Sequence, residues 1–331
     1  MTTKLSSTVP DAGNERAKAV LSLIGNTPCV PLHFAPEQVT VWAKCEFLNP
    51  SGSVKDRFAS TVIEDAEKRG ALSAESLILE CTSGNTGVSL AMVAAAKGYR
   101  VRILMSQTAS RERRWLIRQF GGELQLFKAD KGYRTGIEIA EQMAAADRRI
   151  FLPRQFENPL NAEDHEHGTG QEILRQVPGR IDAFVAGYGT GGTLAGVGKA
   201  IKARFPAARV VAMEPAEAAM LLGECPCCHL IEGIAGGFLP PLLRTAPLDG
   251  EVKVTSAEAM AMTLRLNHEF GLMVGTSSGA NAAAALRLAK EIGAGSTVVT
   301  LLCDRAERYF STRLFEEAEI EPAETEAMRA G

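Results

Sequence analysis

No apolar run in the 331 residues approaches the ~20 that a membrane-crossing helix needs, so no span is expected. Residues 1–18 (MTTKLSSTVPDAGNERAK) lack the apolar centre of a secretory signal. The seven cysteines are odd in number and show no framework spacing, which argues against a disulfide scaffold. Together these absences predict a reducing, cytoplasmic setting with free thiols. Charge of one sign is also missing. The formal net charge is -3 with 23% charged residues, which leaves neither a basic field for nucleic acid nor an acidic tract for a cationic partner.

What the chain does have is apolar content, 46%, enough for a buried core and two domains. Short β-like runs alternate with Ala-rich helical runs. Strands are predicted at Thr40–Glu46, Ser76–Cys81, Val101–Met105 and Leu124–Phe127, with helices at Phe58–Arg69, Val88–Lys97, Arg111–Phe120 and Tyr133–Ala146. A second series follows, with strands at Ala183–Ala186, Arg209–Met213 and Thr297–Leu302 and helices at Leu194–Phe205, Ser256–Phe270 and Ala280–Ile292. Such alternation predicts an α/β fold with mostly parallel, helix-covered sheets. Two series predict two three-layer α/β domains meeting at a cleft. The expected division is a lead-in at 1–20, an N-terminal domain at 21–158 whose first strands could cross to the other sheet, a C-terminal domain at 159–318 and a tail at 319–331. The joint is placed at Asn158-Pro159, where a helix would break.

Four strand-to-helix turns carry candidate chemistry. In Asn49–Arg57 (NPSGSVKDR), Lys55 falls in the first turn of a helix, where the positive helix end disfavours an ammonium. A desolvated lysine there is a good amine for a Schiff base, whereas a solvated one is merely a loop residue. Thr82, Ser83, Gly84, Asn85 and Thr86 lie in TSGNTG, where helix-start amides and hydroxyls form a cradle for a carboxylate or phosphate. An ordinary N-cap would need fewer such groups. Gly187–Thr193 (GYGTGGT) formally fits GxGxxG, and Glu214 ends the next strand, so a dinucleotide site is a rival reading. The hydroxyls of Thr190 and Thr193 suit a phosphate monoester equally well. Gly275–Ala280 (GTSSGA) precedes an Ala-rich helix and reads as a capped start when taken alone.

Two further clusters are weighed against function. His165-Glu166-His167 lacks the spacing of a zinc-protease helix and is expected to be a polar helix start. Cys225, Cys227, Cys228 and His229 crowd into five residues, too tight for an easy tetrahedral chelate, so no metal is predicted. Redox sensing by these thiols remains open.

In order, NPSGSVKDR, TSGNTG, QFENP, GTGGT, EGIAGGF and SSGA resemble the cysteine synthase and cystathionine β-synthase family, fold type II pyridoxal-phosphate enzymes similar to the tryptophan synthase β chain. The resemblance runs from Ile24–Pro28 to Glu307–Thr312. It implies pyridoxal 5'-phosphate in the interdomain cleft, bound as a Schiff base to Lys55. Asn85 would meet the cofactor's 3-hydroxyl, Gly189, Thr190, Gly191, Gly192 and Thr193 its phosphate, and Ser277 its ring nitrogen. Thr82, Ser83, Gly84, Asn85 and Thr86, with Gln155, would bind the substrate carboxylate, and Gly233 would lie beside it. The implied reaction makes L-cysteine from O-acetylserine, or another activated serine, and sulfide through an aminoacrylate. Glu232 stands where the synthases often carry glutamine, and a carboxylate there could activate water or bind a second substrate's amine. Serine or cysteine plus homocysteine is therefore the alternative, then cysteine breakdown to sulfide; neither a haem segment nor a regulatory module is expected around this core. A homodimer is implied as well. A nicotinamide-dependent dehydrogenase is the unrelated alternative.

Overall fold

The computed structural model describes residues 17–82, 84–128, 133–223 and 229–316. Two sheets organise them. The first has six strands in the order β1 (Cys29–Phe34), β2 (Val39–Cys45), β10 (Val298–Leu302), β7 (Ala183–Gly187), β8 (Arg209–Pro215) and β9 (Gly250–Val254). The second has four, in the order β5 (Glu123–Phe127), β4 (Arg100–Ser106), β3 (Leu77–Cys81) and β6 (Ile150–Phe151). Only the β1–β2 hairpin is antiparallel; the other strand pairs run parallel. The expected α/β class with mostly parallel sheets is thus what the chain forms. Strands covered on both faces read as continuous apolar runs, and β3 (LILEC) and β10 (VVTLL) are buried at all five positions.

The three strands missing from the expectation, β1, β6 and β9, are all edges. β1 contains Pro31, tolerated because an edge strand has a side that needs no ladder donor. β9 (GEVKV) is charged, again an edge property. The hairpin pairs β2 with β10, Val41 opposite Val298 and Cys45 opposite Leu302. The first strands and the last thereby lie side by side.

Near the expected joint the structure differs from the sequence reading. Pro159 does not break a helix; it caps the start of α5 (Leu160–Asp164), where a missing N–H costs nothing. His165-Glu166-His167 is not a helix start either. It opens a π turn, His165–Thr169, closed by the Gly170 N–H on the His165 carbonyl, and the helix continues as α6 (Gly170–Gln176). The turn packs against α7 (Gly192–Arg204) so closely that a Cβ at Gly196 would lie 2.7 Å from the Glu166 nitrogen. Four helices begin earlier than expected, because the motif residues form their first turns: α1 (Lys55–Lys68), α2 (Asn85–Lys97), α7 and α9 (Thr276–Ile292).

A buried ionic box holds α1. Arg57 makes a fork to Glu46, Nε to Oε2 at 2.7 Å and Nη2 to Oε1 at 2.8 Å. It makes a second pair of bonds to Glu172 of α6, at 2.9 and 2.7 Å. Lys44 completes the set at 2.6 Å from Glu172. The remaining lone pairs of Glu46 take Thr27 and Asn49, and Glu172 takes the Asn26 N–H. Burial pulls the Glu46 carboxyl up, but the charge and bonds of Arg57 outweigh it and leave the group lowered. Such a box is stable only while complete. Arg57→Met should lower unfolding free energy by about 3–5 kcal/mol, because two carboxylates stay buried without their partner. Arg57→Lys should recover little of this, lacking the fork. Urea midpoints measure both, and a loss under about 1 kcal/mol would show that the box relaxes around the gap.

Candidate active site

Lys55 opens α1 on the wall of a cleft of about 870 Å³ between the two sheets. Its segment is strapped to the end of β10: the Val54 N–H bonds the Cys303 carbonyl at 2.9 Å, and Ser53 bridges to Asp304. The preceding turn is held by Asp56, which accepts the Ser51 N–H at 2.7 Å and the Ser89 hydroxyl at 2.5 Å. Protein surrounds the Lys55 amine on all but its cleft side. This desolvation pushes its pKa below the ordinary lysine value, against the opposing pull of Asp304 and Glu46. The amine is thus primed for nucleophilic and base chemistry.

Facing it, the GYGTGGT turn joins β7 to α7. Gly191 sits at φ 85°, and a Cβ there would come within 2.7 Å of the Leu243 nitrogen. A Cβ at Gly189 would come within 2.5 Å of the Gly233 carbonyl. Only glycines can occupy these positions, and they bring the turn and the first amides of α7 together as an anion cradle. Thr190 is held by Asn161 at 3.0 Å. Thr193 is held by His165 Nε2 at 2.9 Å, and the ring's Nδ1 meets Thr169 at 2.9 Å. Burial, reinforced by Arg57, drives the His165 pKa down to about 3, so the ring is neutral and serves as a hydrogen-bonding post. Glu214 does not fit the dinucleotide role. It is fully buried, and its Oε1 is taken by the Tyr188 hydroxyl and the Leu221 N–H at 2.9 Å. A ribose finds no carboxylate there.

The third wall is the TSGNTG turn between β3 and α2. Thr86 donates to Gln155 Oε1 at 2.6 Å, and Gln155 Nε2 donates to the Cys81 carbonyl at 2.8 Å. Thr82 accepts the Gly84 N–H at 3.1 Å, while Ser83 lies outside the described residues. The Asn85 amide reaches Asp304 and Arg308. Ser277, in the first turn of α9, is buried and lines the cleft. The structure therefore brings Lys55, Thr82, Asn85, Thr86, Gln155 and Ser277 to one cleft with Gly189, Thr190, Gly191, Thr193 and Gly233. Gly192, the first residue of α7, packs against Asn161.

Glu232 is not brought to that wall. Its side chain pairs with Arg113, Oε2 to Nη2 at 2.9 Å, because the buried guanidinium needs a partner more than the cleft needs a carboxylate. Cys225, Cys227 and Cys228 lie outside the described residues, and His229 Nε2 contacts the Ala235 carbonyl at 3.2 Å. Local sequence gave no signal for Cys303, which lines the cleft with its thiol pushed up to about 12 by burial and so fully protonated. It gave none for Asn161 or Arg113. Asp304 and Arg308 flank the last motif, but only the fold shows what they touch.

A reactive amine, an anion cradle opposite it and a hydroxyl-lined turn fit a group with one aldehyde and one phosphate, as pyridoxal phosphate has. Comparison with known proteins agrees. The family described as pyridoxal-phosphate dependent enzyme matches residues 20–304. A cysteine synthase from Staphylococcus aureus is 44% identical over 299 residues, 89% of this chain and 96% of that protein. The crystal structure of O-ureido-L-serine synthase superposes with a TM-score of 0.87 at 44% identity, covering 92% of this chain and 96% of that one. That of an O-acetylserine-dependent cystathionine β-synthase from Helicobacter pylori gives 0.85 at 33% identity, covering 95% and 100%. The fold is that of the fold type II enzymes.

One titration in the supporting layer is measurable. Glu80 lies beneath Gln155, accepting the N–H of Gln155 at 3.1 Å and of Cys81 at 3.0 Å. Burial raises its pKa from 4.5 to about 7. Between these values the folded protein keeps a proton that the unfolded chain releases. The group's stabilising contribution is therefore full below the unfolded value and is lost as pH rises through about 7. Glu80→Gln should shrink the fall in urea midpoint between pH 5 and pH 8. An unchanged fall would mean that Glu80 is ionised throughout.

Proposed function

Since the chain belongs to the pyridoxal-phosphate-dependent enzyme family, we propose that it is a cysteine synthase, replacing the acetoxy group of O-acetylserine by sulfide to give L-cysteine. The observation that carries the reading is the desolvated Lys55 amine on one wall of a cleft whose other walls are an anion cradle and a hydroxyl-lined helix start. The similarity to cysteine synthase over most of both chains supports the same reaction.

The cofactor supplies an electron sink that acidifies the substrate's α-proton and makes the β-substituent expellable. With the cofactor bound, Lys55 Nζ would hold its aldehyde carbon. Freed by the substrate's amine, Lys55 Nζ would take the α-proton, since burial disfavours its own ammonium, and would later return a proton to the same carbon. Thr82, Ser83, Gly84, Asn85 and Thr86, with Gln155, bind the α-carboxylate, and Gly233 shapes the space beside it. Gly189 to Thr193 hold the phosphate with backbone N–H groups and two hydroxyls. The Ser277 hydroxyl faces the ring nitrogen without a charge that would enforce its protonation. The thiolate enters on the open side and needs no protein nucleophile.

Similarity to an O-acetylserine-dependent cystathionine β-synthase, 33% identical and covering 95% of this chain, supports keeping condensation with homocysteine as a second reading. Release of sulfide from cysteine uses the same steps with water entering. The reading also carries a homodimer in the cytoplasm. Apolar Trp115, Phe310 and Leu48, each about half exposed, offer surface for a second copy, and no helix among the described residues is long and apolar enough to cross a membrane.

Pairing O-acetylserine, serine and cysteine with sulfide, homocysteine or water and weighing the products tests the reading. Cysteine from O-acetylserine and sulfide should dominate, and cystathionine as main product would move the assignment to the second reading. Lys55→Ala should lose the yellow colour and at least about 100-fold in turnover. Retained turnover without colour would overturn the assignment.

A further inference from the structure

The side chain of Asn85 is gripped from both ends by the segment after β10. Its Nδ2 donates to Asp304 Oδ2 at 2.5 Å, and its Oδ1 accepts from Arg308 Nη1 at 2.6 Å. A guanidinium can only donate and an ionised carboxylate can only accept. The two charges therefore decide which way the amide faces, without appeal to a choice between its nitrogen and oxygen. Both holders are themselves immobilised. Arg308 is 3% exposed; its Nη2 donates to the Ser51 carbonyl at 2.5 Å and its own carbonyl accepts the Ser110 hydroxyl at 2.8 Å. Asp304 is 1% exposed; it takes the Tyr309 hydroxyl on the same Oδ2, and its carbonyl accepts the Gly275 N–H at 3.0 Å.

An amide nitrogen has two hydrogens, and Asp304 uses one. The other has near it only the Tyr309 oxygen at 3.5 Å, the outer limit of a hydrogen bond. Asn85 lines the cleft together with Lys55. We propose that Asp304 and Arg308 are positioning residues that lock the Asn85 amide with its free N–H toward the cleft, so that the protein presents a donor to the 3-oxygen of the cofactor ring and holds that oxygen as an anion. The inference rests on the reading of Asn85 as the partner of that oxygen, and it adds what fixes the sign of the interaction. With the amide free to turn, its carbonyl would face the ring half the time and would favour the protonated, uncharged oxygen.

The charge on the 3-oxygen sets the colour of the loaded enzyme, which separates positioning from a merely structural role. Parent, Asn85→Asp, Asn85→Ala, Asp304→Leu, Arg308→Met and Arg308→Lys are loaded with pyridoxal phosphate. Their absorption spectra are recorded against pH, their cofactor affinity by fluorescence titration and their folding by urea midpoint. Arg308→Met and Asp304→Leu should move intensity from the visible to the near-ultraviolet band and weaken cofactor binding about tenfold, the value of one charge-assisted bond. Arg308→Lys, still a donor to Oδ1, should regain most of the visible band. Asn85→Asp, with no donor when ionised, should shift furthest. If neither Asn85 variant changes the spectrum, the reading of Asn85 fails. If they change it while Arg308→Met and Asp304→Leu match the parent, the lock alone is overturned. Should a variant not fold, the parent suffices: in the 15N-labelled protein the Asn85 side-chain NH2 signal should move on loading with cofactor, and an unmoved signal rejects the proposal.

Discussion

An amine deprived of water at the first turn of α1 is the constraint around which this molecule is arranged. Lys55 lies where the helix end and the loss of water both disfavour an ammonium. Two residues on, Arg57 carries a charge that cannot be given up, and the fold supplies it with two carboxylates. The same helical turn therefore holds one cation that the structure disfavours and one that it satisfies. The second anchors the first, because Glu46 at the end of β2 and Glu172 on α6 fix α1 against the six-stranded sheet.

The wall of the cleft at the β7–α7 turn is built by close approach rather than by charge. Glycines at 189, 191 and 192 let neighbouring backbone and side chains come nearer than any Cβ permits. The π turn at His165–Thr169 serves the same end, since it sets a neutral imidazole between two threonine hydroxyls and so fixes Thr193. A helix start of this kind can hold an anion with its amides alone, without a cationic side chain.

The substrate side is braced from behind. Gln155 is held by Thr86 in front and by Glu80 beneath. The stem of Arg113 fills the space that a Cβ at Gly84 would occupy, its Cδ 2.2 Å from that point, while the guanidinium lies over the Tyr309 ring and pairs with Glu232. Glu232 thus closes a contact between the two sides of the cleft. Its carboxylate was legible as a departure from glutamine; its direction was not, because the partner that turns it lies in a distant helix.

Strand and helix alternation, the four turns and Lys55 itself could be read locally, because period, glycine placement and helix-end electrostatics act over a few residues. Edge strands such as β1 and β9 escaped because Pro31 and the charges of GEVKV break the apolar pattern that buried strands show. The helix through His165 escaped because its π turn is enforced by packing against Gly196 and Ala200, not by its own residues. Asp304 and Arg308 meet Asn85 across more than two hundred positions of chain. Sequence alone determined which groups could do the chemistry. Tertiary structure decided which of them are dry, paired or turned away, since burial and hydrogen-bond partners come from segments that are neighbours only in space.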